Sequence, residues 1–325
     1  MLFSIFSFRE QRMIQRIVAA AKSLFVPSAG GIPFFTRLVS SVLVIAELIG
    51  ALFFNMPQTP RGQKINLDEW TLTWSDEFDG NSLDTTKWKS PYGNIARRGG
   101  YWDTDQIIVE DGVLKIRTEY KENGRLGSGW YTGAIETRNL FEQKYGYFEC
   151  RCICPGGIGL WAAFWTLSDG MFAEPDGSAA DGCEIDMFES CFFKDKKKHD
   201  AVNQAAGFDG YGEGSSGVVL GHYSGNNIFN EYNTFGLEWN ENEIIFYING
   251  VETDRLSGKW VPQVKQYLLL SVEVAGKTEN IGVGGEPVPF VSEKDNIYEN
   301  DMSIFPLDFI VDYVRAYQRT EDIAG

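Results

Sequence analysis

Histidine is nearly absent from this chain: two residues in 325, at positions 199 and 222. Cysteine is only slightly commoner, five in all, an odd number that cannot pair completely. Cys150, Cys152 and Cys154 alternate in YFECRCICPGG and would share one strand face. That spacing suits small buried hydrophobes better than disulfide partners, and C-x-C-x-C far from either histidine is a poor zinc pattern. Cys183 and Cys191 flank a second, acidic segment. Positive charge is also short, with 29 Lys and Arg against 45 Asp and Glu, a formal charge of −16. It is concentrated early: residues 1–66 hold seven basic and two acidic residues, which leaves 22 against 43, a balance of −21, for the rest. A body so short of cations is unsuited to nucleic acid. After residue 66 there is no sustained helical periodicity and no repeat of fixed length.

Aromatic residues and glycine are abundant: nine Trp, fourteen Tyr, twenty-three Phe and thirty-five Gly. That composition favours a turn-rich β protein. Period-two or buried apolar runs occur in IIVEDGVLKIRTEY, GYFECRCICP, EIIFYINGVET, QYLLLSVEVA and DFIVDYVRAYQ. Asp111-Gly112, Asn123-Gly124 and Asn249-Gly250 supply turn signals, and YINGVE reads as a hairpin. These features predict one all-β domain over 67–325, a sandwich or barrel, with polar stretches 168–182 and 276–306 as surface loops over a binding face. Residues 1–66 read as a basic leader, an apolar segment and a linker. Arg9, Arg12, Arg16, Lys22 and Arg37 precede an apolar run over 38–56, close to the ~20 residues a spanning helix needs. A signal peptide or membrane anchor that exports the β domain is expected, although Glu47 would cost on the order of 2.5–3.5 kcal/mol near a bilayer centre. NMPQTPRGQ would then be the linker, its prolines breaking any helix.

Residues 182–190 read GCEIDMFES. Glu184 and Asp186 share the parity of one strand face, but Glu189 is out of step. A β-bulge at Met187–Phe188 would return Glu189 to their face. Three carboxylates so close must raise at least one pKa. Glycoside hydrolysis needs that pairing of one ionised and one protonated carboxyl, and a separation of about 5–5.5 Å gives retention through a covalent intermediate. An acid-x-acid pair on a solvated strand edge is the plainer alternative, against which the apolar flanks argue.

The segment 184–189 resembles the bulged E-x-D-x-x-E signature of glycoside hydrolase family 16, in the form found in laminarinase-type β-1,3-glucanases and in agar- and carrageenan-cleaving members. WSDEFDG (74–80), the block 132–167, NTFGLEWNENEIIFYING (233–250) and VDYVRAYQ (311–318) resemble further family segments in order. The resemblance implies a β-jelly roll of two curved antiparallel sheets with a polysaccharide across the concave face. It implies Glu184 as nucleophile, Glu189 as general acid/base, and Asp186 hydrogen-bonded to the nucleophile. Trp161 and Trp165, four apart, would share a face as sugar platforms. Arg97, Arg98, Tyr101 and Trp102 resemble a loop on the non-reducing side. Asn233 stands where many members have His, a cleft residue by that comparison. Ser271 and Glu273 share a strand face where Asn and Ala are common, so Glu273 would add a carboxylate to the cleft. His199 and His222 read as surface residues. No cofactor is implied beyond a structural calcium, with Glu77 and Asp312 as candidate ligands. The expected molecule is an exported, monomeric endo-β-glycanase acting on β-1,3-glucan. A galactan, a mixed-linkage glucan or a host glycan is the second substrate reading, and a non-catalytic carbohydrate-binding jelly roll is the third.

Overall fold

The computed structural model describes residues 57–190, 201–225, 227–278, 287–289 and 297–323, with isolated positions at 15–18, 21, 39, 41–46 and 48–49. His199, Cys191 and most of the apolar run 38–56 lie outside them. Among the described residues, no helix is long and apolar enough to cross a membrane.

Strands dominate. In chain order they are β1 (Trp70–Asp76), β2 (Ile95–Arg97), β3 (Gly100–Trp102), β4 (Ile107–Glu110), β5 (Val113–Gly124), β6 (Gly127–Thr132) and β7 (Ala134–Glu136). There follow β8 (Gly146–Ile153), β9 (Leu160–Leu167), β10 (Glu184–Glu189), β11 (Ala201–Phe208), β12 (Ser216–Ser224) and β13 (Asn233–Trp239). The series closes with β14 (Glu243–Ile248), β15 (Val251–Ser257), β16 (Tyr267–Val274), β17 (Gly276–Thr278), β18 (Pro287–Pro289) and β19 (Leu307–Arg319). An eleven-stranded sheet runs β15-β14-β13-β8-β19-β5-β6-β3-β2, with β1 and β4 beside it, and faces a six-stranded sheet in the order β12-β11-β10-β9-β16-β7. The pairing is antiparallel except between β3 and β6. The expected jelly-roll sandwich is therefore the fold.

Alternation builds the layer between the sheets. Phe164 pairs with Phe188 and Leu270, and all three are buried. Phe188 meets Phe235 of the other sheet at 4.2 Å between ring centroids. Cys150, Cys152, Cys154 and Cys183 are free thiols in the same core, as their spacing suggested. Burial pushes the Cys183 thiol up to about 12, which leaves it unreactive.

The anticipated bulge is present. The register of β10 shifts between Asp186 and Glu189 against β11, and between Asp186 and Phe188 against β9. At the bulge Met187 and Phe188 both enter the one core between the sheets, whereas consecutive residues of a regular strand face opposite ways. Each side chain gains about 1.5–3 kcal/mol from burial, enough to offset a local break in the ladder. The carbonyl of Met187 accepts a hydrogen bond from Gln204 Nε2 at 3.2 Å, and Gln204 Oε1 accepts from Thr253 Oγ1 at 2.5 Å.

Several expectations change. Residues 57–66 do not behave as a free linker: Gln58 bridges to Tyr223 of β12, and Lys64 bridges to Val251 of β15. His222 is buried, not superficial, because it lies within β12 opposite Asn203 and Gln58 bonds to its carbonyl. The Asn123-Gly124 turn forms two residues later, at Arg125-Leu126, since β5 continues to Gly124. A Cβ on Gly124 would lie 2.2 Å from the Tyr131 ring. Asn249 and Gly250 do form their hairpin turn, with φ of 51° and 70°. The stretch 276–306 is not wholly superficial either, because Ile297 packs with Trp130, Leu160 and Val274.

Replacing Gln204 with Leu should leave the Met187 carbonyl without its donor and cost about 1–3 kcal/mol of stability. Urea denaturation of the two proteins measures it; equal midpoints would show that the bulge needs no such support.

Candidate active site

Residues directly opposite each other in an antiparallel pair share a face, so register alone assembles the site. Glu184 lies opposite Leu167 and Gly207, Asp186 opposite Trp165 and Ala205, and Glu189 opposite Ala163. Trp161 lies opposite Glu273, and Ala163 opposite Ser271. All of these face one cleft of about 1240 Å³ that crosses the six-stranded sheet. Six strands at ~4.8 Å spacing make a face roughly 24 Å wide, enough for several sugar rings. Ala163, Ala205 and Gly207 beside the three acids leave room above them.

Electrostatics separates the acids. Asp186 is pushed well above the usual carboxylate range, by burial first and then by Glu189 and Glu184. Glu189 is raised to about 7, again by burial and then by the charge of Glu184, against a hydrogen bond from Trp161. That bond runs from Trp161 Nε1 to Glu189 Oε1 at 3.0 Å. Glu184 is raised by burial and by Glu273, but a hydrogen bond from Tyr211 and the charges of Arg97 and Arg98 oppose the rise. The site thus holds one acid with a hydrogen-bond donor and two cations about it, and two that burial and neighbouring charge drive toward the neutral form. Glu184 takes its hydrogen bond from the Tyr211 hydroxyl and not from Asp186, the partner that the resemblance implied.

The hairpin β2–β3 brings the arginines. Arg98 sits at its turn with φ 51°, and Gly99 follows where a Cβ would lie 2.2 Å from the Ala275 carbonyl. Arg97 donates to Glu273 at 2.6 Å, and Arg98 pairs with the other oxygen of the same carboxylate. Glu273 is therefore in the cleft as expected, with its charge met by two guanidiniums. Arg98 also lies 4.5 Å from the centre of the Trp161 ring, and Arg97 4.7 Å from that of Trp102. Trp165 Nε1 donates to Ser271 Oγ at 3.1 Å, which fixes the second tryptophan beside Asp186. Trp102 lines the cleft but is 2% exposed, its Nε1 bonded to the Val272 carbonyl.

Two candidates fall elsewhere. Tyr101 points away from the cleft, as its neighbour Trp102 occupies the cleft side, and it packs at 5.0 Å on Tyr131. Asn233 is buried in the opposite sheet, on β13 beside Cys152, where its Oδ1 accepts from Asn249. The expected calcium ligands do not fit a metal: Glu77 is held by Arg315 and Asp312 by Arg151. Among the described residues no cluster of three or more His, Cys, Asp or Glu is placed to hold one. Tyr211, Phe172 and Tyr92 line the cleft without having been singled out. Tyr92 and Tyr211 sit on loops and Phe172 ends a single 3-10 turn, where no periodicity marks a side chain's direction.

The family model described as "Beta-porphyranase A-D, GH16 domain" matches residues 70–319. The "Beta-glucanase" of Rhodothermus marinus is 28% identical over 316 residues, covering 88% of this chain and 95% of that protein. The "Glucan endo-1,3-beta-glucosidase A1" of Niallia circulans is 25% identical over 280 residues, which are 76% of this chain and 38% of its own length. The laminarinase catalytic domain from Thermotoga maritima MSB8 superposes with a TM-score of 0.57 at 25% identity, over 77% of this chain and 98% of that one.

A carboxyl whose folded pKa is raised contributes most stability while protonated and loses it as pH climbs from its unfolded to its folded value. For Glu189 that window runs from the ordinary 4.5 to about 7. Glu189→Gln should therefore melt like the parent at pH 4 and be more stable than it at pH 8, by on the order of 2–3 kcal/mol. Thermal denaturation at the two pH values checks this, and a parent equally stable at pH 8 contradicts the assignment.

Proposed function

The chain belongs to glycoside hydrolase family 16, and from that membership we propose that it is a retaining, endo-acting hydrolase of a β-linked polysaccharide, with β-1,3-glucan as its substrate. The observation that carries the chemistry is the divergence of two glutamates on one strand face. Glu184, with Tyr211 and two arginines about it, is the acid best kept ionised to attack the anomeric carbon. Glu189, raised to about 7, holds the proton that the leaving oxygen needs. Asp186, raised by burial and by the charges of Glu189 and Glu184, is driven toward its neutral form, which would spare the nucleophile a second adjacent charge. After departure of the first product, Glu189 as carboxylate takes a proton from water, which attacks the glycosyl-enzyme ester and frees Glu184.

The glucan reading rests on the glucanases and the laminarinase among the relatives, and on the charge of the chain, −16, which disfavours a polyanion. A galactan is the second reading, favoured by the porphyranase description of the matching family model and by three arginines in the cleft, Arg97, Arg98 and Arg138. A non-catalytic sugar-binding role is disfavoured because such a role has no use for a carboxyl poised near neutrality. The basic residues before 38–56 support export or anchoring, so the body would meet its polymer outside the membrane, as a monomer.

Glu184→Gln and Glu189→Gln should each lower release of reducing sugar by roughly 10²–10⁴-fold while leaving polymer binding intact. Activity of the parent should fall on the alkaline side near pH 7 as Glu189 loses its proton. Azide should rescue Glu184→Ala with inverted product. Laminarin, mixed-linkage glucan, agarose and porphyran assayed side by side discriminate the substrates; turnover unchanged by either glutamine rules out the mechanism.

A further inference from the structure

Tyr211 lies on the loop between β11 and β12, and 64% of its surface is exposed, so core packing does not account for its position. Its hydroxyl nevertheless donates into the cleft, to Oε2 of Glu184. Two contacts tie that loop to the segment after β9. Asp209, nearly buried and with φ 64°, accepts the backbone amides of Asp176 at 3.2 Å and Gly177 at 3.0 Å. The Tyr211 ring meets Phe172 edge-on at 5.6 Å. One loop thus holds the other, and the two together hold a phenol against a half-buried carboxylate.

We propose that Tyr211 is a positioning residue for the nucleophile: by donating to one oxygen of Glu184 it fixes the carboxylate's rotation and leaves the other oxygen free for attack. The inference rests on the reading of Glu184 as nucleophile. In the first displacement the free oxygen forms its bond to the anomeric carbon as the bond to the leaving oxygen breaks, and Glu189 delivers its proton to that oxygen. Tyr211 keeps its proton throughout, its hydrogen bond passing from carboxylate oxygen to ester carbonyl oxygen. Glu184 is otherwise faced by Asp186 and Glu189 on its own strand, by Glu273 on β16, and by Arg97 and Arg98 from the hairpin. Among these, the phenol is the hydrogen-bond donor to Glu184, and it carries no charge that an incoming sugar must displace.

Tyr211→Phe keeps the ring against Phe172 and removes only the hydroxyl. Two measurements are made: the titration of the Glu184 carboxyl by carbon NMR in protein labelled at glutamate, and steady-state kinetics on the preferred polysaccharide. The expected result is an upward move of the Glu184 midpoint, an acid limb of the rate profile displaced the same way, and kcat lowered about 10–100-fold with KM little changed. An unmoved midpoint, or a loss confined to KM, overturns the proposal, the second outcome making Tyr211 a sugar contact only. Phe172→Ala leaves the hydroxyl in place, so its effect should be in the same direction and smaller; an effect as large as that of Tyr211→Phe also overturns it. Because the titration needs no turnover, a midpoint that moves in a protein without hydrolytic activity would sustain the hydrogen bond's role while removing the function proposed above.

Discussion

Three carboxyl groups crowded on one strand face, Asp186 buried and Glu184 and Glu189 half-buried, are the constraint around which the cleft is organised. Burial alone opposes ionisation of each, and each charge that does form opposes the next. The arrangement is stable because the charge is limited and locally met. Asp186 and Glu189 are driven toward their neutral forms, while Glu184 has a phenol and two guanidiniums nearby. The pair Arg97 and Arg98 also neutralises Glu273, without which a fourth carboxylate would raise the others further. Carboxyl groups of one strand face are thus differentiated by graded surroundings rather than by different residue types.

The acids are aimed by the hydrophobic core. Met187 and Phe188 both seek the interior, and meeting that demand inserts the extra residue which brings Glu189 onto the face of Glu184. The common face of the acids thus goes together with apolar burial, and Gln204 supports it by donating its amide to the Met187 carbonyl at the bulge. Gln204 is itself buried and bonded to Thr253 of β15, so the bulge is referred to the opposite sheet. Local strand irregularity and global sandwich packing are therefore a single arrangement.

How much of this the amino-acid sequence discloses depends on the kind of contact. Parity along a strand revealed the bulge, the common face of the acids, and the shared side of Trp161 and Trp165, because alternation is strictly local. It also identified the alternating cysteines as core. Parity does not say which sheet a strand joins, so it could not test the resemblance that put Asn233 in the cleft, and β13 belongs to the other layer. In GGYW it could not choose between Tyr101 and Trp102, since adjacent residues face opposite ways and only the parallel pairing with β6 decides. Tyr211 was invisible for a different reason: it lies 27 residues from Glu184 on an irregular loop, and only the tie through Asp209 directs it.

The tryptophans illustrate how the same residue type acquires different work from its neighbours. Trp161 and Trp165 are both half-buried in the cleft, yet the first has a guanidinium over its ring and its nitrogen on Glu189, while the second bonds to Ser271. Trp161 is coupled to charge through both contacts: its N–H stabilises the ionised form of Glu189, and its ring stabilises the arginine that balances Glu273. The carboxylate form of Glu189 has that donor at 3.0 Å. A hydrogen bond that opposes the raised pKa in the resting site becomes a stabilising one once the proton has gone. Burial and then the charge of Glu184 raise Glu189, the hydrogen bond from Trp161 opposes them, and the balance lies at about 7.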